Sequence, residues 1–234
     1  MEGKNLVDYN IHKGHRDRLR NKFIKNGIES LEQHEVLELL LFYAVPQKST
    51  NDIAHELLNR FGNIKELFDA PIESICKTKN VGYSAAVLFK LIPQLLRYYL
   101  ITPDKKQSLD NYEYYLNYFN SMYVGTSNEQ FRVCCLNNSL QVISCDKLSE
   151  GTPSEVAVSA RMVAEAAFRA NSSIVVLAHN HPNALPVPSK DDIRLTNELI
   201  SSLKAFDIKV LDHVIVGKGE VHSMRRSGAI GMFY

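Results

Sequence analysis

Net charge is almost missing from this sequence: 27 Lys and Arg stand against 26 Asp and Glu, a formal +1. A chain so balanced cannot bind a polyanion with its whole surface, so any nucleic-acid contact must come from a local patch. Cysteine is sparse as well. The four, Cys76, Cys134, Cys135 and Cys145, show no C-x-x-C spacing, which reads as buried thiols in a reducing compartment rather than a disulfide framework. The opening MEGKNLVDYN lacks the apolar core of a secretory signal. No apolar stretch approaches the roughly 20 residues of a membrane-spanning helix. These absences predict a cytoplasmic protein with no membrane partner. No repeat or low-complexity tract occurs, and the 45% hydrophobic, 23% charged composition is ordinary for a globular chain long enough for one large domain or two modest ones.

Strand patterns are absent from the first hundred residues. Leu19, Phe23 and Ile24 mark one side of a helix over about 14–24 that stops at Gly27. Ser30 and Gln33 form an S-x-x-Q cap ahead of VLELLLFYAV, which ends before Pro46. Thr50 or Asn51 opens a helix closed by Gly62, Pro71 suits the first turn of a short one, and SAAVLFKLIPQLLRYYL is a long apolar helix with Pro93 inside it. The polar segment 101–108, ITPDKKQS, is the natural linker. A Tyr-rich helix follows over 109–123, its place between the two parts open.

From about Glu129 the texture changes. FRVCCL and QVISC flank NNS as a hairpin. Adjacent Cys134 and Cys135 must then face opposite sides of a strand. An alanine-rich helix over 155–170, the continuous apolar run SSIVVLA of a central strand, a helix over 190–205 and the strand KVLDHVIVG complete the pattern. The order β-β-α-β-α-β implies a mixed sheet flanked by helices.

Residues 177–192, LAHNHPNALPVPSKDD, hold the chemistry. Side chains on a strand alternate, so His179 and His181 face one way and Asn180 the other. Pro182, Pro186 and Pro188 then hold an extended loop, and Ser189 starts a helix whose first turn carries Asp192. Ser189 and Asp192 alone would be only a capping box. With the two histidines they form H-x-H-x₇-S-x₂-D. Two imidazoles and one carboxylate leave a fourth tetrahedral position for water, the pattern of a catalytic zinc.

H-x-H-x₇-S-x₂-D resembles the signature of JAMM (MPN-plus) metalloproteases, and HNHP with a later P-S-x-x-D is similar to the bacterial RadC family. GHRDRLRNKFIKNGIESLEQHEVLELLL, SEGT at 149–152 and LDHVIVGKGEVHS at 211–223 extend the likeness over nearly the whole chain. The resemblance implies an α+β architecture: an all-helical, helix-hairpin-helix-like domain over 1–105, then a JAMM/MPN-like mixed sheet flanked by helices over 108–234, a cytidine-deaminase-like layout. It also implies one Zn²⁺ per chain, held by His179, His181 and Asp192, and a glutamate near the start of the first strand. Glu150 and Glu155 are alternatives by composition; the match to the RadC strand selects Glu129. Ser189 becomes an oxyanion donor. The chain departs from the family at Asn183 and Ala184 (usually Ser-Gly), at Ala160-Arg161-Met162 (usually Pro-Arg-Glu), and near Arg226, where a glutamate is usual. His213 suits either an inherited role or an ordinary core histidine.

The activity implied is zinc-dependent hydrolysis of peptide or isopeptide bonds. The alternatives are a DNA-associated binding module and, behind it, a nuclease, in keeping with the RadC name's link to DNA repair. TKNVGYSAA resembles a helix-hairpin-helix with Asn80 in place of its first glycine, equally readable as a plain helical turn. Lys13, Arg16, Arg18, Arg20, Lys22 and Lys25 concentrate charge on the first helix. They make weak, salt-sensitive DNA contact through the N-terminal domain the expectation to set against a merely solvated face.

Overall fold

The computed structural model describes residues 4–45, 49–102, 107–151 and 158–231, with side chains from Gly14 onward. Outside them lie Pro46, half of the expected linker (103–106), and 152–157, which include Thr152 of SEGT and Glu155. The chain forms two compact units, Met1–Leu95 and Leu96–Tyr234.

The first unit is helical: α1 (Lys4–Asn26), α2 (Gln33–Ala44), α3 (Asn51–Phe61), α4 (Ile64–Asp69), α5 (Ile72–Cys76) and most of α6 (Tyr83–Ile101). Gly27 (φ 78°) ends α1 where the sequence predicts, but the helix begins well before residue 14. The expected Ser30/Gln33 cap is corrected. Ser30 sits in a 3₁₀ turn and donates its hydroxyl to Gly27 O, while Glu32 and Glu35 form the reciprocal box two residues later. Leu31 is extended, so the first free helix N–H groups lie beyond the reach of Ser30. Helix α4, unforeseen, is short and capped by Asn63, which accepts from Glu66 N. Asn80 takes the left-handed conformation (φ 63°) in the turn between α5 and α6. Leu37, Leu41, Leu57, Leu67, Ile75 and Phe89 fill the core of this unit.

One expectation fails at α6. Among the described residues it is the one helix long and apolar enough, by length and composition, to cross a membrane. Lys90, Pro93 and Arg97 break the run to the eye without removing its mean apolarity. Ala85, Ala86 and Phe89 are buried in the first unit, and Lys90 Nζ donates to the carbonyls of Phe68, Asp69 and Ala70.

The second unit places α7 (Tyr112–Met122) on one face of a five-stranded sheet, with α8 (Ala160–Arg169) and α9 (Lys190–Leu203) on the other. The strands are β1 (Gln130–Leu136), β2 (Val142–Glu150), β3 (Ile174–Asn180), β4 (Lys209–Gly217) and β5 (Glu220–Ser223), in the order β2-β1-β3-β4-β5. Only β3 and β4 run parallel; the other neighbours are antiparallel. This is the expected mixed sheet with one strand more, since β5 is a four-residue edge too short to show a pattern. Alternation sends Val133, Cys135, Val175 and Leu177 into the core under α8 and α9, and Cys134, Leu136, Val176 and Ala178 into the core under α7. The adjacent cysteines do face apart, and Cys134 meets Cys145 across the hairpin, Sγ to Sγ 2.8 Å.

The Tyr-rich helix thus belongs to the second unit. Tyr115 donates its hydroxyl to buried Asp212 at 2.7 Å, and Asp212 also accepts from Ser223 Oγ, His213 N and Arg225 N. Arg226 lies over the Tyr112 ring at 3.9 Å. At this position a carboxylate would lose that cation–π contact.

Candidate metal centre

The C-terminal end of β3, beside its parallel neighbour β4, is where open α/β sheets leave room for ligands. There His179 Nε2 and His181 Nε2 lie 3.0 Å apart, and Asp192 brings Oδ1 to 3.3 Å from His179 Nε2 and Oδ2 to 3.8 Å from His181 Nε2. Donor atoms on a tetrahedral zinc at 2.0–2.1 Å are about 3.3 Å apart, so the three side chains have the right spacing. At 3.0 Å the two imidazole nitrogens share one N–H when either ring carries it there, and face a common cation when both are bare. Burial pushes the His179 pKa down to about 4, so the ring is neutral and has a lone pair to offer a metal. The donor set therefore fits a borderline-soft divalent ion.

Each ligand is oriented by its other polar atom. His181 Nδ1 faces Leu185 O at 3.3 Å, and its backbone N–H donates to Val216 O. Asp192 Oδ2 accepts from both the Ser189 backbone N–H and the Ser189 hydroxyl, while Ser189 Oγ accepts from Asp192 N. The capping box thus aims the carboxylate, as the S-x-x-D spacing predicts. It also engages the one hydroxyl proton of Ser189, which must turn away from Asp192 to serve an oxyanion. The intervening loop is pressed against β4: a Cβ on Gly217 would collide with Ala184 O and crowd Leu185 and Pro186. Asn183 adopts φ 61°, a left-handed position that asparagine tolerates better than most residues.

Glu129 precedes β1, with a carboxylate oxygen inside the group it forms with His179 and His181, all within 4.8 Å of one another. Desolvation raises its pKa, with the Asp192 charge adding to the rise and His181 opposing it. Glu150 behaves oppositely: paired with Lys147 on β2, its pKa is lowered.

Asn180, between the histidines, points away from them as strand alternation predicts. Its buried side chain accepts from Gln130 N at 2.8 Å and donates to Asn128 O at 3.1 Å. It pins the backbone on both sides of Glu129, so all three residues of HNH serve one site. His213, open on sequence between an inherited role and a core position, is brought beside His179 by the strand register. A register shift between Val175 and Val176 leaves Leu211 unpaired, so Asp212 pairs with Val176 and His213 with Leu177. An unbroken ladder would have turned His213 to the α7 face. Instead its Nε2 lies 2.8 Å from His179 Nδ1, and its Nδ1 2.6 Å from Thr196 Oγ1 on α9. No spacing rule on the sequence marks that bulge.

In the helical unit, three of the six expected DNA-facing charges have partners within the chain. Arg16 donates to Val45 O at 2.8 Å and lies over the Phe42 ring, capping the end of α2. Lys22 pairs with Glu35 at 2.7 Å and Arg20 with Asp17 at 3.3 Å. Arg18 and Lys25 are exposed, and the Lys13 side chain lies outside the described residues.

Comparison with known proteins matches residues 109–229 to the RadC-like JAB domain and residues 12–87 to the UPF0758 N-terminal family. A UPF0758 protein of Fusobacterium nucleatum is 33% identical over 225 residues, covering 93% of this chain and 97% of its own. A UPF0758 protein of Ruegeria pomeroyi is 32% identical over 215 residues, covering 92% and 96%.

Proposed function

The chain belongs to the RadC family, its second half a RadC-like JAB domain, and from that premise we propose that it is a zinc-dependent hydrolase of peptide or isopeptide bonds. The observation that carries this reading is the convergence of His179 Nε2, His181 Nε2 and Asp192 Oδ1 beside a partly buried glutamate. A zinc ion held there would supply Lewis-acid polarisation of a carbonyl and a water acidified toward pKa of about 7. Glu129, with a carboxylate oxygen within 4.8 Å of both histidines, would take the proton of the attacking water and return it to the leaving amine. Its raised pKa suits both directions of that transfer. Ser189, with its hydroxyl turned out of the capping box, donates to the developing oxyanion.

The test has two arms. Elemental analysis after zinc reconstitution should give one zinc per chain, abolished by the His179→Ala, His181→Ala double variant; no uptake by the wild-type protein overturns the metal centre. Glu129→Gln should keep zinc and lose about 10²- to 10⁴-fold in turnover on a panel of peptide and isopeptide substrates. Wild-type turnover by that variant would assign the base elsewhere.

A further inference from the structure

The contacts beneath His179 form a chain whose hydrogens can be placed one by one. Thr196 is fully buried on α9, one turn after Asp192, and its hydroxyl lies 2.5 Å from the Asp192 backbone carbonyl. Two oxygens that close repel unless a proton sits between them, and a carbonyl has none to give, so Thr196 donates there. Met224 Sδ, at 3.9 Å, is a weaker and more distant acceptor. With its one proton committed, Thr196 Oγ1 can only accept from His213 Nδ1 at 2.6 Å. Nδ1 of His213 therefore carries a hydrogen. Complete burial keeps that ring neutral, which leaves its Nε2 a bare lone pair. His179 Nδ1, 2.8 Å away, must supply the hydrogen for that contact, and His179 Nε2 is then left bare toward His181 and Asp192.

We infer that Thr196 and His213 are positioning residues that lock His179 in the Nδ1–H tautomer, presenting Nε2 to the metal. The relay rests on the metal-centre reading above. It couples two of the ligands through the protein: His179 on β3 is held by β4, and β4 by a threonine bonded to the main chain of Asp192. Phe131 confines the rings sterically, lying parallel to His179 at 6.0 Å and edge-on to His213 at 5.3 Å. On the far side, Asp212 accepts the His213 backbone N–H and is itself fixed by Tyr115 and Ser223. Outer partners of this kind alter metal affinity by about 10- to 100-fold when removed.

Long-range ¹H–¹⁵N spectra of histidine-labelled, metal-free wild-type protein test the relay without any substitution. His179 should appear as the Nδ1–H tautomer; the Nε2–H tautomer would overturn the relay whether or not zinc binds. In a second arm, Thr196→Val keeps the shape and removes the hydroxyl, and zinc affinity measured by competition with a chromogenic chelator should fall about 10- to 100-fold. Thr196→Ser should restore affinity to near the wild-type value. Were Thr196 merely structural, Thr196→Val would lower the melting temperature yet leave the folded protein's zinc affinity and the His179 tautomer unchanged, and that result defeats the relay while the metal centre stands. Wild-type protein that takes up no zinc overturns the metal centre itself.

Discussion

At the scale of single residues, the HNH triplet divides its work by strand alternation. The outer two residues present nitrogens to one point, and the middle one turns its amide through the sheet to hold the segment carrying Glu129. A separation of roles follows. Asn180→Ala removes no metal ligand but leaves Gln130 N and Asn128 O without their partner, and Glu129 loses its fixed approach. Misplacement of about 1 Å at a catalytic group can cost about 100-fold in rate. The expected result is therefore a fall in turnover of that order at unchanged zinc stoichiometry, read by parallel kinetics and elemental analysis. Zinc lost along with activity would show that Asn180 supports the histidines instead.

At the scale of elements, sequence pattern was informative where a period or a cap governs the structure. The continuous apolar run of SSIVVLA, the capping box at Ser189 and the stops at Gly27 and Gly62 are local signals, and each is present in the fold. The clustering of the candidate ligand trio was legible because its spacing is short and each residue type has few alternative uses. What stayed hidden depends on pairing between distant strands. The Leu211 bulge that turns His213 beneath His179 is a property of the β3–β4 register, and a four-residue edge such as β5 has no period to read. The basic run in α1 is incomplete as a signal for a related reason: Arg16 and Lys22 are basic in any count, but their partners lie on α2 and at its C-terminal end. Gly217 belongs with these hidden features. It looks like the end of a strand, yet it lets the metal-site loop lie against β4. Gly217→Ala should displace residues 184–186 and with them the carbonyl facing His181 Nδ1. Zinc affinity should weaken by about 10-fold or more while the far-ultraviolet circular dichroism of the sheet is kept; unaltered affinity would mean the loop can shift without moving His181.

At the scale of the whole molecule, the centre links folding to protons. Burial lowers the His179 pKa to about 4 and that of His213 well below its ordinary value, so the folded, metal-free protein refuses protons that an unfolded chain accepts near pH 6.5. Stability rises with pH wherever the unfolded state binds more protons. The contribution of these two rings is therefore complete above about pH 6.5 and is progressively lost as the pH falls toward about 4. Zinc should widen the effect. It binds the deprotonated donors of the native state and stabilises by about 2.7 kcal/mol at a hundred times its dissociation constant, and protons compete with it over the same window. Chemical denaturation of the second unit's transition, followed with and without zinc from pH 8 to pH 4.5, should show the metal-free midpoint falling below about pH 6.5 and the zinc increment shrinking with it. A metal-free midpoint flat across that range would mean that His179 and His213 take up protons in the folded state, and that the buried rings do not tie the fold to the site.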